Sequence, residues 1–391
     1  MDVDVPKVLV LDANQRSALA VTRSLGRAGQ YHVSTADSVA SSLAGASRYS
    51  HRYFRYPDPT RHPQDFLAWI DKVVAEHGFA LVMPTTEVTS QLLLRYQDRL
   101  EGVNLPFASY QKVMELADKI ALVRLAGECD VPVPQSQAFE NAGQVKPEDL
   151  RFPVVLKPAL SRIFREDHWV HTQVEIVRDR AEWDAALAKH PYLQDSPFML
   201  QEFIPGHGSG VFCLYDRGRP VQFFAHQRLR EKPPEGGVSV LSRSVPVNAA
   251  LKQASERLLS AVEWHGVAMV EFRISDDGQP YLMEINTRFW GSLQLAIDAG
   301  VDFPLMLANC HLKRPNAPLT EYRDGQQLRW LLGDLDSLYI YLKRKHALSD
   351  KLKRVLAFIA IRFRNQKHEI NRLSDLKPAW VELKQYLESL R

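Results

Sequence analysis

VAMVEFRISDDGQPYLMEIN, residues 267–286, reads as two strands folded back on each other. Residues 267–274 and 280–286 are rich in β-branched and aromatic side chains, and Asp277-Gly278 between them is a favoured two-residue hairpin turn. With Asp276 paired to Gln279, opposed residues carry numbers summing to 555, so Glu271 faces Glu284. The two-residue period adds Asn286 to that face and sends Val270, Phe272, Ile274, Tyr281, Met283 and Ile285 to the other. Opposed carboxylates in a sheet repel, by about 0.2–1 kcal/mol even when exposed. A divalent cation resolves the conflict. Two carboxylates and an amide oxygen are hard donors suited to Mg²⁺, with Mn²⁺ as its substitute. A register slip that turns both glutamates into solvent is the alternative, but it leaves the neighbouring Arg288 without a role.

Upstream, strand and helix patterns alternate. Residues 7–12 (KVLVLD) form a short apolar run, and a helical pattern follows through Ala18, Val21, Leu25 and Ala28 to Gly29. Residues 31–34 read as a strand, 66–76 as a helix stopped by Gly78, and 80–84 as a strand. Such alternation predicts a parallel, doubly wound sheet ending near residue 110. Its first loop, Ala13-Asn14-Gln15-Arg16, lacks the glycines that a dinucleotide requires.

Residues 110–129 predict one amphipathic helix, closed by Asp130-Val131-Pro132-Val133-Pro134. Residues 152–158 (FPVVLKP) are a buried strand carrying Lys157, and 182–189 are helical. Residues 198–204 (FMLQEFI) are a strand running into Pro205-Gly206. Residues 211–215 and 221–226 form a hairpin, 231–238 a loop, and 249–264 a helix.

These elements resemble the ATP-grasp superfamily, of the carboxylate–amine ligase, carbamoyl-phosphate-synthase-like type. The family's metal signature is an acidic residue on one strand, then Glu-x-Asn on the next, commonly followed by arginine; here it is Glu271, then Glu284-Ile285-Asn286-Thr287-Arg288. Lys119 and Lys157 match the two lysines that grip ATP phosphates, and Gln201-Glu202-Phe203-Ile204 matches the strand that holds adenine. The resemblance covers roughly residues 1–315. It implies an α/β architecture with a Rossmann-like pre-ATP-grasp domain over 1–110, an ATP-grasp domain of two α+β subdomains over 111–318, and a helical C-terminal segment over 319–391.

The implied ligands are ATP and Mg²⁺, the latter on Glu271, Glu284 and Asn286. Arg288 is implied to hold the γ-phosphate or an acyl phosphate, and Arg228, with Arg230, to hold the substrate carboxylate or close over ATP. The implied reaction joins a small-molecule carboxylate to an amine, with ADP release. A grasp-type phosphotransferase and a non-catalytic ATP-binding or membrane-associated scaffold are the alternatives. Two departures stand out. Gly206-His207-Gly208-Ser209-Gly210 offers no acidic ribose ligand. Residues 159–165 (ALSRIFR) place basic side chains where a phosphate loop usually has glycines, with Ser161 alone fitting.

Composition fits a multidomain globular chain: 391 residues, 45% hydrophobic and 24% charged. Cys129, Cys213 and Cys310 form no CxxC pair, and the acidic start MDVDVPKV does not read as a signal peptide, so a cytoplasmic protein is expected. Charge is uneven. Residues 338–391 hold 13 Lys/Arg against 5 Asp/Glu, and the rest hold 36 against 41. An acidic body with a basic tail is not a nucleic-acid binder. The tail alternates Leu338, Ile340, Leu342, Leu348, Leu352, Val355, Leu356 and Ile359 with Lys343, Arg344, Lys345, Lys351, Lys353, Arg354 and Arg362. It predicts either a helical cap packed through its apolar face, the docking favoured by Arg329, Trp330 and Asp334, or peripheral contact with an anionic membrane.

Overall fold

The structure is a computed structural model that describes residues 5–234, 237–319, 321–360 and 365–391; the acidic residues Asp2 and Asp4, Glu235 and Gly236 of the expected loop, and Arg362 of the tail lie outside them. Four parallel strands stand in the order Arg52–Arg55, His32–Asp37, Lys7–Val10, Leu81–Met83. Val8 and Val10 join one hydrophobic cluster and Leu9 the other, so this sheet is buried on both faces, as parallel sheets are. The helices Arg16–Ala28 and Pro63–His77 end at Gly29 and Gly78, whose φ values of 68° and 63° suit the left-handed cap that glycine adopts without strain.

The expected helix over 110–129 is two helices, Tyr110–Ala117 and Lys119–Glu128. Asp118 interrupts it: its side chain accepts hydrogen bonds from the amides of Ile120 and Ala121, which caps the second helix. The Lys119 amide then donates to the Ala159 carbonyl, at the end of the strand Val154–Pro158. Periodicity continues across the break, so only the cap reveals it.

A small antiparallel sheet runs Ser136–Phe139, Phe198–Glu202, Val154–Pro158, Glu175–Val177. Val154, Leu156, Phe198 and Leu200 fill its core with Trp183, which turns Lys157, Met199 and Gln201 to the opposite face. Residues expected as a loop after Lys157 form a hairpin instead, Arg162–Arg165 with His168–His171. The large sheet has seven strands: Pro280–Asn286, Gly266–Ser275, Gly206–Asp216, Arg219–Lys232, Val238–Val245, Gln327–Arg329 and Gln366–His368. Glu231, Lys232 and Val238, expected in a loop, belong to strands that pair with each other.

The C-terminal region departs most from expectation. It is not wholly helical, because Gln366–His368 adds an edge strand parallel to Gln327–Arg329. Nor is it an appendage. The fully buried guanidinium of Arg23, in the first helix, donates to Asp375 Oδ2 (2.9 Å) and to the carbonyls of Glu369 (2.9 Å), Ile370 (2.8 Å) and Asp375 (3.1 Å). Breaking a buried ion pair by removing one partner costs about 3–5 kcal/mol. Arg23→Met is therefore expected to lower chemical-denaturation stability by that order. An unchanged midpoint would mean that the tail lies outside the cooperative unit.

The helix Leu331–Lys343 packs as a cap through Asp334, Ser337 and Leu338, and Trp330 before it donates to Glu382 Oε1 (2.5 Å). The next helix, Leu348–Ile359, does not pack through its apolar face: Leu348, Leu352, Leu356 and Ile359 face solvent.

Candidate functional site

The carboxylate hairpin reaches its register by two offsetting departures. The loop holds three residues, Asp276-Asp277-Gly278, with Gly278 at φ 89° and its amide bonded to the Ser275 carbonyl (2.9 Å). That shifts pairing by one, so Phe272 opposes Leu282. A bulge between Glu271 and Phe272 leaves Met283 as the extra residue and shifts pairing back. Glu271 then stands directly opposite Glu284, and Met269 opposite Asn286. Leu282 and Ile285 are the buried core residues of the second strand; Tyr281 and Met283, expected there, are only half-buried.

Asn286 Nδ2 donates to Oε1 of both Glu271 (3.3 Å) and Glu284 (3.2 Å), bridging the two carboxylates. Arg228 Nη2 donates to Glu271 Oε1 (3.3 Å) and Nη1 to Glu231 Oε1 (3.2 Å). Burial, then repulsion from Glu284, pushes Glu271 up to about 7, against the pull of Arg228 and Arg288. The donor set fits a hard divalent ion: two opposed carboxylates whose charge no neighbouring arginine fully offsets, with an amide oxygen alongside.

Two lysines face this pair. Lys157 is 7% and Lys119 4% exposed, and among the described residues no carboxylate lies within ion-pair distance of either. Lys157 Nζ sits 3.7 Å from Met283 Sδ, and Lys119 Nζ donates to Ser161 Oγ (3.1 Å). Burial pulls Lys157 down to about 8 although Glu284 and Glu271 favour its charge. Buried ammonium groups without an anion are costly, and a polyphosphate supplies what they lack. A small cavity lined by Glu87, Gln91, Lys119, Ser161, Glu284 and Asn286 brings Lys119 together with the second strand of the carboxylate hairpin.

Arg288 lies at its edge. Nη2 donates to Glu87 Oε1 (3.2 Å) and Asn286 Oδ1 (3.4 Å), and Nη1 to the Phe289 carbonyl (3.0 Å). Glu87 and Gln91 come from the parallel-sheet domain, and sequence reasoning passed over them. The signal was present: Pro84-Thr85-Thr86-Glu87 directly follows a strand, at the carboxyl edge where such sheets open their ligand crevices. Asp12, at φ 56°, fixes that loop by accepting from the amides of Thr85 (2.8 Å) and Thr86 (2.9 Å) and from Thr89 Oγ1 (2.7 Å).

The other expected residues scatter. Gln201 is buried on the sheet face of Lys157 and donates to Ser136 Oγ (2.9 Å). Glu202 is exposed, and its amide bonds the Gln135 carbonyl (2.8 Å). Phe203 lines a hollow with Pro153, Ile176 and Arg178, and the Ile204 carbonyl accepts from Arg273 Nε (3.1 Å). Arg230 leaves the site altogether: bulges on either side of it turn it to the buried Asp334, where Nε donates to Oδ1 (2.7 Å).

Comparison with known proteins agrees with this architecture. Residues 194–333 match a family described as "ATP-grasp in the biosynthetic pathway with Ter operon". Pyruvate carboxylase of Aspergillus niger is 26% identical over 235 residues, 56% of this chain and 19% of that protein. D-alanine–D-alanine ligase of Sodalis glossinidius is 24% identical over 248 residues, 56% of this chain and 66% of that protein. The chain thus spans about a fifth of the first relative and just under two thirds of the second. The crystal structure of L-amino acid ligase from Bacillus licheniformis superposes with a TM-score of 0.63 at 17% identity, covering 82% of this chain and 78% of that one. The fold is the ATP-grasp fold. No helix among the described residues is long and apolar enough to cross a membrane.

Proposed function

We propose that this chain is an ATP-dependent carboxylate–amine ligase that works through an acyl phosphate and releases ADP and phosphate. One observation carries the proposal: Glu271 and Glu284, opposed and bridged by Asn286, face two buried lysines that have no anionic partner among the described residues, and Arg288 stands at the edge. Lys119 and Lys157 would hold the phosphates of ATP as point charges. Glu271, Glu284 and Asn286 would hold Mg²⁺, which supplies charge neutralisation on the phosphate oxygens. Of the expected adenine strand, Gln201 is the residue best placed to line the nucleotide cleft, because it shares the face of Lys157.

A substrate carboxylate oxygen would attack the γ-phosphorus as its bond to the ADP oxygen breaks. The amine then attacks the acyl carbon, phosphate leaves, and the amine proton passes to solvent. Arg288 offers its planar fork to the transferring phosphoryl group, and Glu87 holds that fork in place from the neighbouring domain. Arg228 is shared between Glu271 and Glu231, and a substrate carboxylate would take the place of one of them on its fork. The likeness to two enzymes named as ligases of alanine and of L-amino acids supports small amino-acid-like carboxylates and amines as substrates.

Hydroxylamine trapping tests the intermediate. With ATP, Mg²⁺, the carboxylate substrate and hydroxylamine in place of the amine, the expected product is the hydroxamate, formed in step with ADP. A stable phosphorylated product that hydroxylamine does not consume would instead establish a phosphotransferase.

A further inference from the structure

The helix Leu348–Ile359 is docked with inverted amphipathicity. Its inward contacts are made by a basic and an aromatic residue: Arg354 Nη2 donates to buried Asp334 Oδ1 (3.3 Å) and Ser337 Oγ (3.2 Å), and the Arg329 guanidinium lies 4.4 Å from the Phe358 ring centre. Leu348, Leu352, Leu356 and Ile359 share the other face by their 4-4-3 spacing and are 83%, 59%, 55% and 59% exposed. A surface helix ordinarily turns such a stripe inward. Here the structure holds it outward with an ion pair.

The surroundings of the stripe identify its counterpart. Between residues 343 and 360 the chain has Lys343, Arg344, Lys345, Lys351, Lys353 and Arg354 against the single acid Asp350. A second copy of the chain would bring two such basic helices together, which like charges oppose. An anionic lipid surface satisfies both features at once, the leucines entering the acyl boundary and the lysines meeting headgroups. The last helix, Lys377–Ser389, points the same way: its exposed Trp380 (70%) and Leu387 (52%) run beside Lys377 and Lys384. Both helices bracket Leu331–Lys343, through Arg354 to Asp334 and through Tyr386 to Asp336 (2.6 Å). We infer that Leu348–Ile359 lies in the plane of an anionic membrane surface and anchors the protein there peripherally, independently of the ligase assignment.

The test is flotation of the purified full chain with phosphatidylcholine vesicles, with and without phosphatidylglycerol, at low and physiological salt. The intact chain is expected to float with the anionic vesicles alone, and less at the higher salt, because exposed charges are screened. The double variant Leu352→Glu, Leu356→Glu should lose flotation entirely while its thermal melt is unchanged, since both side chains face solvent. Lys353→Glu should reduce flotation without abolishing it. Failure of the intact chain to float with anionic vesicles would overturn the inference, as would equal flotation of the double variant. A concentration-dependent dimer in sedimentation that the double variant dissolves, with no flotation, would overturn it in favour of an interface between copies.

Discussion

Glu284→Gln is expected to release ADP at least about a thousandfold more slowly than the parent chain, with its fold intact. The amide keeps the size of the carboxylate but loses the charge needed to hold Mg²⁺ opposite Glu271. An ion that stabilises charge on a transferring phosphoryl group contributes several kcal/mol, and each 1.36 kcal/mol is about a factor of ten in rate. Stability should move the other way. Glu271 is raised to about 7 by burial and by Glu284. A carboxyl raised above its unfolded value contributes its full stability below the unfolded range and loses it as pH rises toward 7. Without Mg²⁺ the parent should therefore melt lower as pH rises through that window, and Glu284→Gln should flatten the decline. Near-parental ADP release by the variant would remove the metal assignment.

Lys157→Met should weaken ATP binding by about ten- to a hundredfold and leave adenosine almost unaffected, because a hydrogen bond to a charged group is worth about 1.5–3 kcal/mol and adenosine carries no phosphate. Methionine preserves the stem that fills the space beside Met283. The lysine is pulled down to about 8 by burial, so its charge is lost as pH rises through that value. In the parent chain ATP affinity should fall over the same interval while adenosine affinity stays flat. Isothermal titration at stepped pH measures both. Equal losses for the two ligands would mean that Lys157 supports the fold rather than the phosphates.

What the sequence disclosed follows from where the physics is local. Alternation with the two-residue period was enough to set Glu271 against Glu284, and the glycine stops at Gly29 and Gly78 located both helix ends. The three-residue loop and the bulge at Met283 were not legible, because each shifts the ladder by one and together they restore the register that a plain two-residue turn would give. Asp118 was hidden for a related reason: the apolar period runs on through the capped break. Glu87 and Gln91 reach the site from the helix after the strand Leu81–Met83, and only the place of that loop at the carboxyl edge of the parallel sheet, not any spacing around the carboxylate hairpin, points to them. The same holds for Arg230, whose bulged strand turns it to Asp334, and for the tail, whose ties to Arg23 span more than 340 residues of sequence. The leucines of Leu348–Ile359 have a core-like pattern, and only the inward contacts of Arg354 with Asp334 and of Phe358 with Arg329 reverse their orientation.

The central claim is tested most directly by incubating the chain with ATP, Mg²⁺ and pairwise mixtures of amino acids, scoring ADP release and weighing the products by mass spectrometry. ADP release is expected to require two substrates and to accompany a new mass equal to their sum less water. ADP release with a single substrate and a product heavier by one phosphoryl group would contradict it.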